Sequence, residues 1–230
     1  MVITIFLTLQ LIKNIVMQLS ETDRAFFTDG YNLGLTAIEK GKTKNAIYEA
    51  ARKMYEAIDG LIDSLLLHAK RENIPVDCKK GCSYCCYQPV YAISHEIDYL
   101  YNYIQKNLSK EKQRKILKNA EKTDHERKTL NKTDLLNHKA PCPLLDNKGM
   151  CSAYQARPMA CRIYLSMSAE SCRLFYEDPV PDDNYAGLLE FPLQAGRMMN
   201  EGFAHALKTA GINSAEFRIE EGLTIISRQQ

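Results

Sequence analysis

Cys78-Lys79-Lys80-Gly81-Cys82-Ser83-Tyr84-Cys85-Cys86 places four thiols within nine residues. The other four of the eight cysteines, Cys142, Cys151, Cys161 and Cys172, fall inside one stretch of 31 residues. Thiols at this density argue for a bound ion, because soft thiolates favour zinc, copper(I) or iron–sulfur clusters. Two residues separate Cys82 from Cys85, which lets a tight turn aim both sulfurs at one ion. Gly81, just before Cys82, supplies the backbone freedom that such a turn needs. Cys78 lies four residues ahead of Cys82 and is a third thiolate on the same loop. Cys86 follows Cys85 directly. Adjacent side chains are expected to diverge, so this pair reads as serving two different metals, or one metal and one core contact. Lys79 and Lys80 offset the negative charge of a thiolate-rich centre.

The distal cysteines have their own pattern. Prolines at 141 and 143 flank Cys142 and restrict the backbone there. Asp146-Asn147-Lys148-Gly149 is a turn signal that brings Cys151 back towards Cys142, as the loop of a small knuckle does. The run from Cys151 to Cys161 and Arg162 reads as a short helical segment broken at Pro158. Arg157 and Arg162 are candidate donors to sulfur or to a bound anion, with a surface or helix C-terminal role as the plainer alternative. Cys78, Cys82, Cys85, Cys86, Cys142, Cys151, Cys161 and Cys172 are thus the candidate metal ligands. Eight thiols allow two four-cysteine sites, one cluster with spare thiols, or a two-metal site, and spacing does not choose among them.

Around these segments the pattern is helical. Ser20 precedes acids at 21 and 23 and predicts a helix to about Glu39, stopping at Gly41. From about Lys44 to Glu72 the apolar residues Ile47, Ala50, Met54, Ile58, Leu61 and Leu65 recur at three–four spacing. Asn73-Ile74-Pro75 ends that helix and sets the first cysteine cluster in the loop behind it. Ser94, read as a cap, opens a helix to Leu108, and Ser109 to about Leu130, Leu193 to Thr209 and Ser214 to Ile226 predict further helices. Residues 140–180 are irregular and rich in Pro and Cys. The expected fold is therefore mainly α, a single helical domain over 20–230 around an irregular cysteine-rich metal-binding core at 78–172.

Composition sets the outer bounds. A chain of 230 residues with 45% hydrophobic and 25% charged residues is ordinary for a globular protein and needs no disulfide to fold. The formal net charge of +2 argues neither for nor against an acidic partner. Lys106 to Lys132 carries ten basic and four acidic residues. It lacks the interleaved aromatics of a single-stranded nucleic-acid binder and reads as a solvated helix face. Val2 to Ile12 is apolar but has no basic residue before it and falls short of the roughly 20 residues that span a bilayer. Residues 1–19 read as a leader or a mis-set start, with a soluble N-terminus opening at Met17. A cytoplasmic location follows, and clustered cysteines there mean metal or redox chemistry rather than disulfides.

Cys-x3-Cys-x2-Cys-Cys, then Pro-Cys-Pro-x-Leu, a turn, and Cys-Ser-x-Tyr-x-x-Arg-Pro-x-x-Cys-Arg resemble the YkgJ-type cysteine-cluster family, whose CxxCxxCC domain is described as zinc- or iron-chelating. The resemblance runs from about Cys78 to Cys172 and implies metal binding at all eight cysteines. Flagellin lysine methylases carry a similar cluster, which implies a cluster-dependent, protein-modifying transferase as the alternative to a simple metal-binding protein. The chain has no separate motif for a methyl-donor cofactor. Cys78, Cys82 and Cys85, with Tyr84 before the third, also fit radical S-adenosylmethionine spacing. Helical periodicity on both sides of the cluster opposes the α/β barrel which that chemistry requires. The expected cofactor is zinc or iron, including an iron–sulfur cluster, and the expected partner is the metal ion. His95, nearest of the histidines to the cluster, reads as a helix-cap or surface residue. Tyr84 and Tyr87 are expected to pack around the sulfurs and limit solvent access.

Overall fold

Ser20 starts the first helix as its sequence suggests: its Oγ accepts from the Asp23 N–H at 3.1 Å, and Glu21 and Asp23 fill the first turn of α1 (Glu21–Glu39). A computed structural model describes residues 20–79, 81–179 and 187–229. The apolar run of residues 2–12 and the reading of 1–19 as a leader lie outside the described residues. Left-handed backbone at Gly41 (φ 91°) turns the chain into α2 (Lys44–Arg71). A 3-10 turn (Tyr84–Tyr87), β1 (Tyr91–Ile93), α3 (Ser94–Asn107), α4 (Lys110–Arg127) and α5 (Lys132–Asn137) follow. Next come a second 3-10 turn (Tyr154–Ala156), α6 (Met159–Ile163), α7 (Ala169–Glu177), α8 (Glu190–Thr209), β2 (Glu216–Arg218) and α9 (Ile219–Arg228). The fold is mainly α, as the periodicity predicts.

Three local readings change. The helix expected from Ser214 starts only at Ile219, because Glu216–Arg218 pairs antiparallel with Tyr91–Ile93, Ala92 opposite Phe217. Strands of three residues are too short to show alternation, and their partner lies far away in sequence. At α3, Ser94 is the first helical residue rather than its cap; the Glu96 carboxylate reaches back and accepts the Ile93 N–H at 3.0 Å. Within the segment expected to be irregular, Ser168 caps α7 by accepting from the Ser171 N–H at 3.1 Å.

The chain forms two compact units. The first takes α1, Lys44–Ile58 of α2 and Gln194–Ser214, which includes most of α8. Its buried side chains include Phe27, Met54, Met199 and Phe203. Here α1 and α8 approach until backbone touches backbone: a Cβ on Gly30 would lie 1.8 Å from the Met199 carbonyl oxygen, and one on Gly202 would lie 2.0 Å from that of Phe27. Only glycine fits such an approach.

The second unit takes residues 59–193 and 215–230. Its core joins Ile97, Leu100 and Ile104 of α3, Ile116 and Ala120 of α4 and Leu223 of α9. Thus α4 buries one face and leaves its lysines in solvent, which is how a charge run becomes a stable helix. Cys142, Cys151 and Cys161 pack against this same core. Among the described residues no helix is long and apolar enough to cross a membrane.

Candidate metal centre

The proximal loop is fastened at its start. The Asp77 and Cys78 N–H groups donate to the Met167 and Ser166 carbonyls, both at 3.3 Å, and the Asp77 carboxylate accepts the Ala169 N–H at 3.0 Å, at the start of α7. Gly81 adopts φ 90°, the left-handed turn that its place before Cys82 suggests, and the Cys82 N–H closes on the Lys79 carbonyl at 3.0 Å. Cys85 and Cys86 then lie in the first 3-10 turn. Successive residues there are about 120° apart rather than on opposite faces. The Cys86 side chain is the largest influence on the Cys85 thiol, whose pKa is raised.

The distal knuckle closes as its turn signal predicts. Asp146 Oδ1 accepts the N–H groups of Lys148 (2.8 Å) and Met150 (2.9 Å), Gly149 adopts φ 72°, and Cys151 pairs back to Leu145. Two contacts join the knuckle to the proximal loop. The Cys142 N–H donates to the Cys86 carbonyl at 2.6 Å, and Gly149 sits so close to the Gly81 carbonyl that an added Cβ would be 3.3 Å away. Cys161 comes from α6 and the buried Cys172 from α7.

The eight thiols share one electrostatic neighbourhood. Cys78 interacts with Cys82, Cys85 and Cys172, while Cys142 interacts with Cys151 and Cys161. Cys85 links the two groups, since Cys151 and Cys161 both interact with it. Burial pushes the thiols of Cys78, Cys142, Cys151, Cys161 and Cys172 above their usual range, and neighbouring sulfurs push the same way. For Cys85 the neighbouring Cys86 side chain, to which its thiol donates, is the largest cause, ahead of burial. Arg157 acts in the opposite direction on Cys151 and Cys161. Such thiols are protonated at neutral pH until a cation displaces the protons. None of the eight is in a disulfide.

This donor set suits zinc or iron by chemistry. Among the described residues, no three His, Cys, Asp or Glu side chains converge closely enough to hold one ion. The structure gathers the thiols near one another without bringing three of them to one point.

The polar residues around the thiols differ from their sequence reading. Arg162 is buried and pairs with Asp59 of α2, while also donating to the Gln155 carbonyl and, at 2.9 Å, to that of Arg157. Arg157 reaches the same carboxylate at 3.2 Å and stacks over Tyr154 at 3.9 Å. The Pro158 region is thus clamped to α2. Tyr84 and Tyr87 pack on Tyr176 of α7, with ring centroids 5.8 and 5.2 Å apart, and so tie the cysteine turn to α7. His95 is buried, not a surface cap, and burial lowers its pKa. Asp182 and Asp183, acidic residues next to Pro181 in the sequence, lie outside the described residues. Sequence reading missed Arg127 and Glu220, a fully buried ion pair at 3.0 Å. In sequence one belongs to a basic run and the other to an acidic helix start, so nothing local marked them.

Residues 77–180 match the CxxCxxCC family. The family is described as a "Putative zinc- or iron-chelating domain", and the matched segment contains all eight cysteines. It is the family that the cysteine motifs resemble, and the CxxCxxCC segment lies wholly within the second unit. No curated protein and no solved structure matches the chain.

Proposed function

We propose that the protein binds zinc or iron through thiolates of Cys78, Cys82, Cys85, Cys142, Cys151 and Cys161 in some combination, with Cys86 and Cys172 in the same neighbourhood. The observation that carries this reading is the junction of the two cysteine segments. Cys142 N–H donates to the Cys86 carbonyl, and Cys85 couples electrostatically to thiols of the distal group. Segments more than 50 residues apart are thereby brought to one place, within the CxxCxxCC segment. A bound zinc ion would contribute folding energy as a structural centre; thiolate-held iron, as an iron–sulfur cluster, would add electron transfer. The reading places the protein in the reducing cytoplasm, where free thiols persist.

Metal analysis and an absorption spectrum of anaerobically purified protein test it. Stoichiometric zinc without visible absorbance, or iron with acid-labile sulfide and a band near roughly 400 nm, is the expected result. Cys82→Ser lowers metal content and melting temperature together. Protein purified without metal, and unable to take up zinc or iron, would sink the proposal.

A further inference from the structure

We propose that Arg127 is a positioning residue for this metal centre, holding the two cysteine segments at a set separation from the end of α4. The inference rests on the metal-binding reading above. The guanidinium is 1% exposed. Its Nη1 binds Glu220 Oε1 at 3.0 Å, at the first turn of α9. Its Nη2 donates to the carbonyls of Tyr87 (3.2 Å), His138 (3.1 Å) and Ala140 (3.1 Å), and its Nε faces His138 Nδ1 at 3.4 Å. Tyr87 directly follows Cys86, and Ala140 stands two residues before Cys142. One planar group thus grips the backbone on both sides of the Cys86–Cys142 junction.

Arginine suits this task because its donors form a rigid fork, whereas a lysine ammonium is a point charge on a flexible stem. Glu220 is itself anchored: Arg218 approaches it at 3.3 Å and also pairs with Asp124 of α4 at 3.2 Å. A buried ion pair is a weak source of net stability, since desolvation offsets most of the attraction. The carbonyl grip is what an apolar replacement of the pair cannot supply, so metal binding is expected to fall by more than stability does.

The test titrates apo protein with Co(II), reading thiolate-to-cobalt absorption, and melts each variant alongside. Arg127→Met/Glu220→Met removes both buried charges. It is expected to melt below the wild type, because three carbonyls lose this donor, and to bind Co(II) about 10- to 100-fold more weakly, the range for losing an outer support of a metal site and more than the drop in melting accounts for. Arg127→Lys keeps a charge beside Glu220 but not the fork, and is expected to fold and bind more weakly as well; it carries the test if the double variant does not fold. Wild-type affinity and spectrum in either folded variant would overturn the proposal. So would losses of affinity that only track losses of stability. A wild-type protein that binds neither Co(II) nor zinc would overturn the metal reading itself, and the positioning role with it.

Discussion

Arg162 has much at stake in the cysteine-bearing unit, because its guanidinium is buried while the carboxylate it holds, on Asp59, is 38% exposed. Asp59→Asn removes the counter-charge but leaves the bonds to the Gln155 and Arg157 carbonyls. A hydrogen bond to a charged group contributes about 1.5–3 kcal/mol when buried, and solvent screening at Asp59 reduces that. The expected cost is about 1–2 kcal/mol, read as a lower urea midpoint at unchanged slope. An unchanged midpoint would mean that the carbonyls alone hold Arg162. At this scale the turn chemistry of the cysteine segments was legible, since it is a local property: Gly81 turns where the motif needs it, and Asp146–Gly149 folds Cys151 back. The partner of Arg162 was not legible, because Asp59 lies on a helix whose face towards residue 162 only packing determines.

Among the elements, α1 and α8 owe their closeness to glycine. Gly30→Ala puts a methyl group 1.8 Å from the Met199 carbonyl oxygen, a backbone atom that cannot swing aside. The helices must part, and overpacking of this kind costs about 1–3 kcal/mol or more. Gly60 is the contrast. It lies inside α2 with nothing within 4 Å of an added Cβ, so Gly60→Ala is expected to stabilise by about 0.5–1 kcal/mol through helix propensity. Thermal melting of the two variants should move in opposite directions; equal shifts would refute the close approach of α1 and α8. The helices themselves were readable from three–four periodicity and caps, and α1, α2 and α4 begin within one residue of the expected start. The β1–β2 pair was not, because the hydrogen bonds that define it link residues 91–93 to 216–218.

For the molecule as a whole, buried His95 makes stability depend on pH. Burial lowers its pKa below the ordinary 6.5, so the unfolded chain binds the extra proton first as pH falls. Stability is then fully present above about pH 6.5 and is lost as pH drops from there towards the folded-state pKa. Desolvation shifts His205, in the other unit, in the same direction. Urea midpoints are expected to hold from about pH 8 to 7 and to fall by about pH 5.5, with a shallower fall in His95→Gln. An equal fall in that variant would assign the effect to other groups. The sequence by itself determined that this chain is helical and that its thiols are clustered at chelating spacing, because helix periodicity and turn chemistry act between near neighbours. Only the tertiary structure decided that Cys86 meets Cys142, that Cys85 couples the two thiol groups, and that Arg127 with Glu220 grips the junction. Those pairings join residues tens of positions apart, and they form only where packing of the second unit's core repays the entropy of bringing them together.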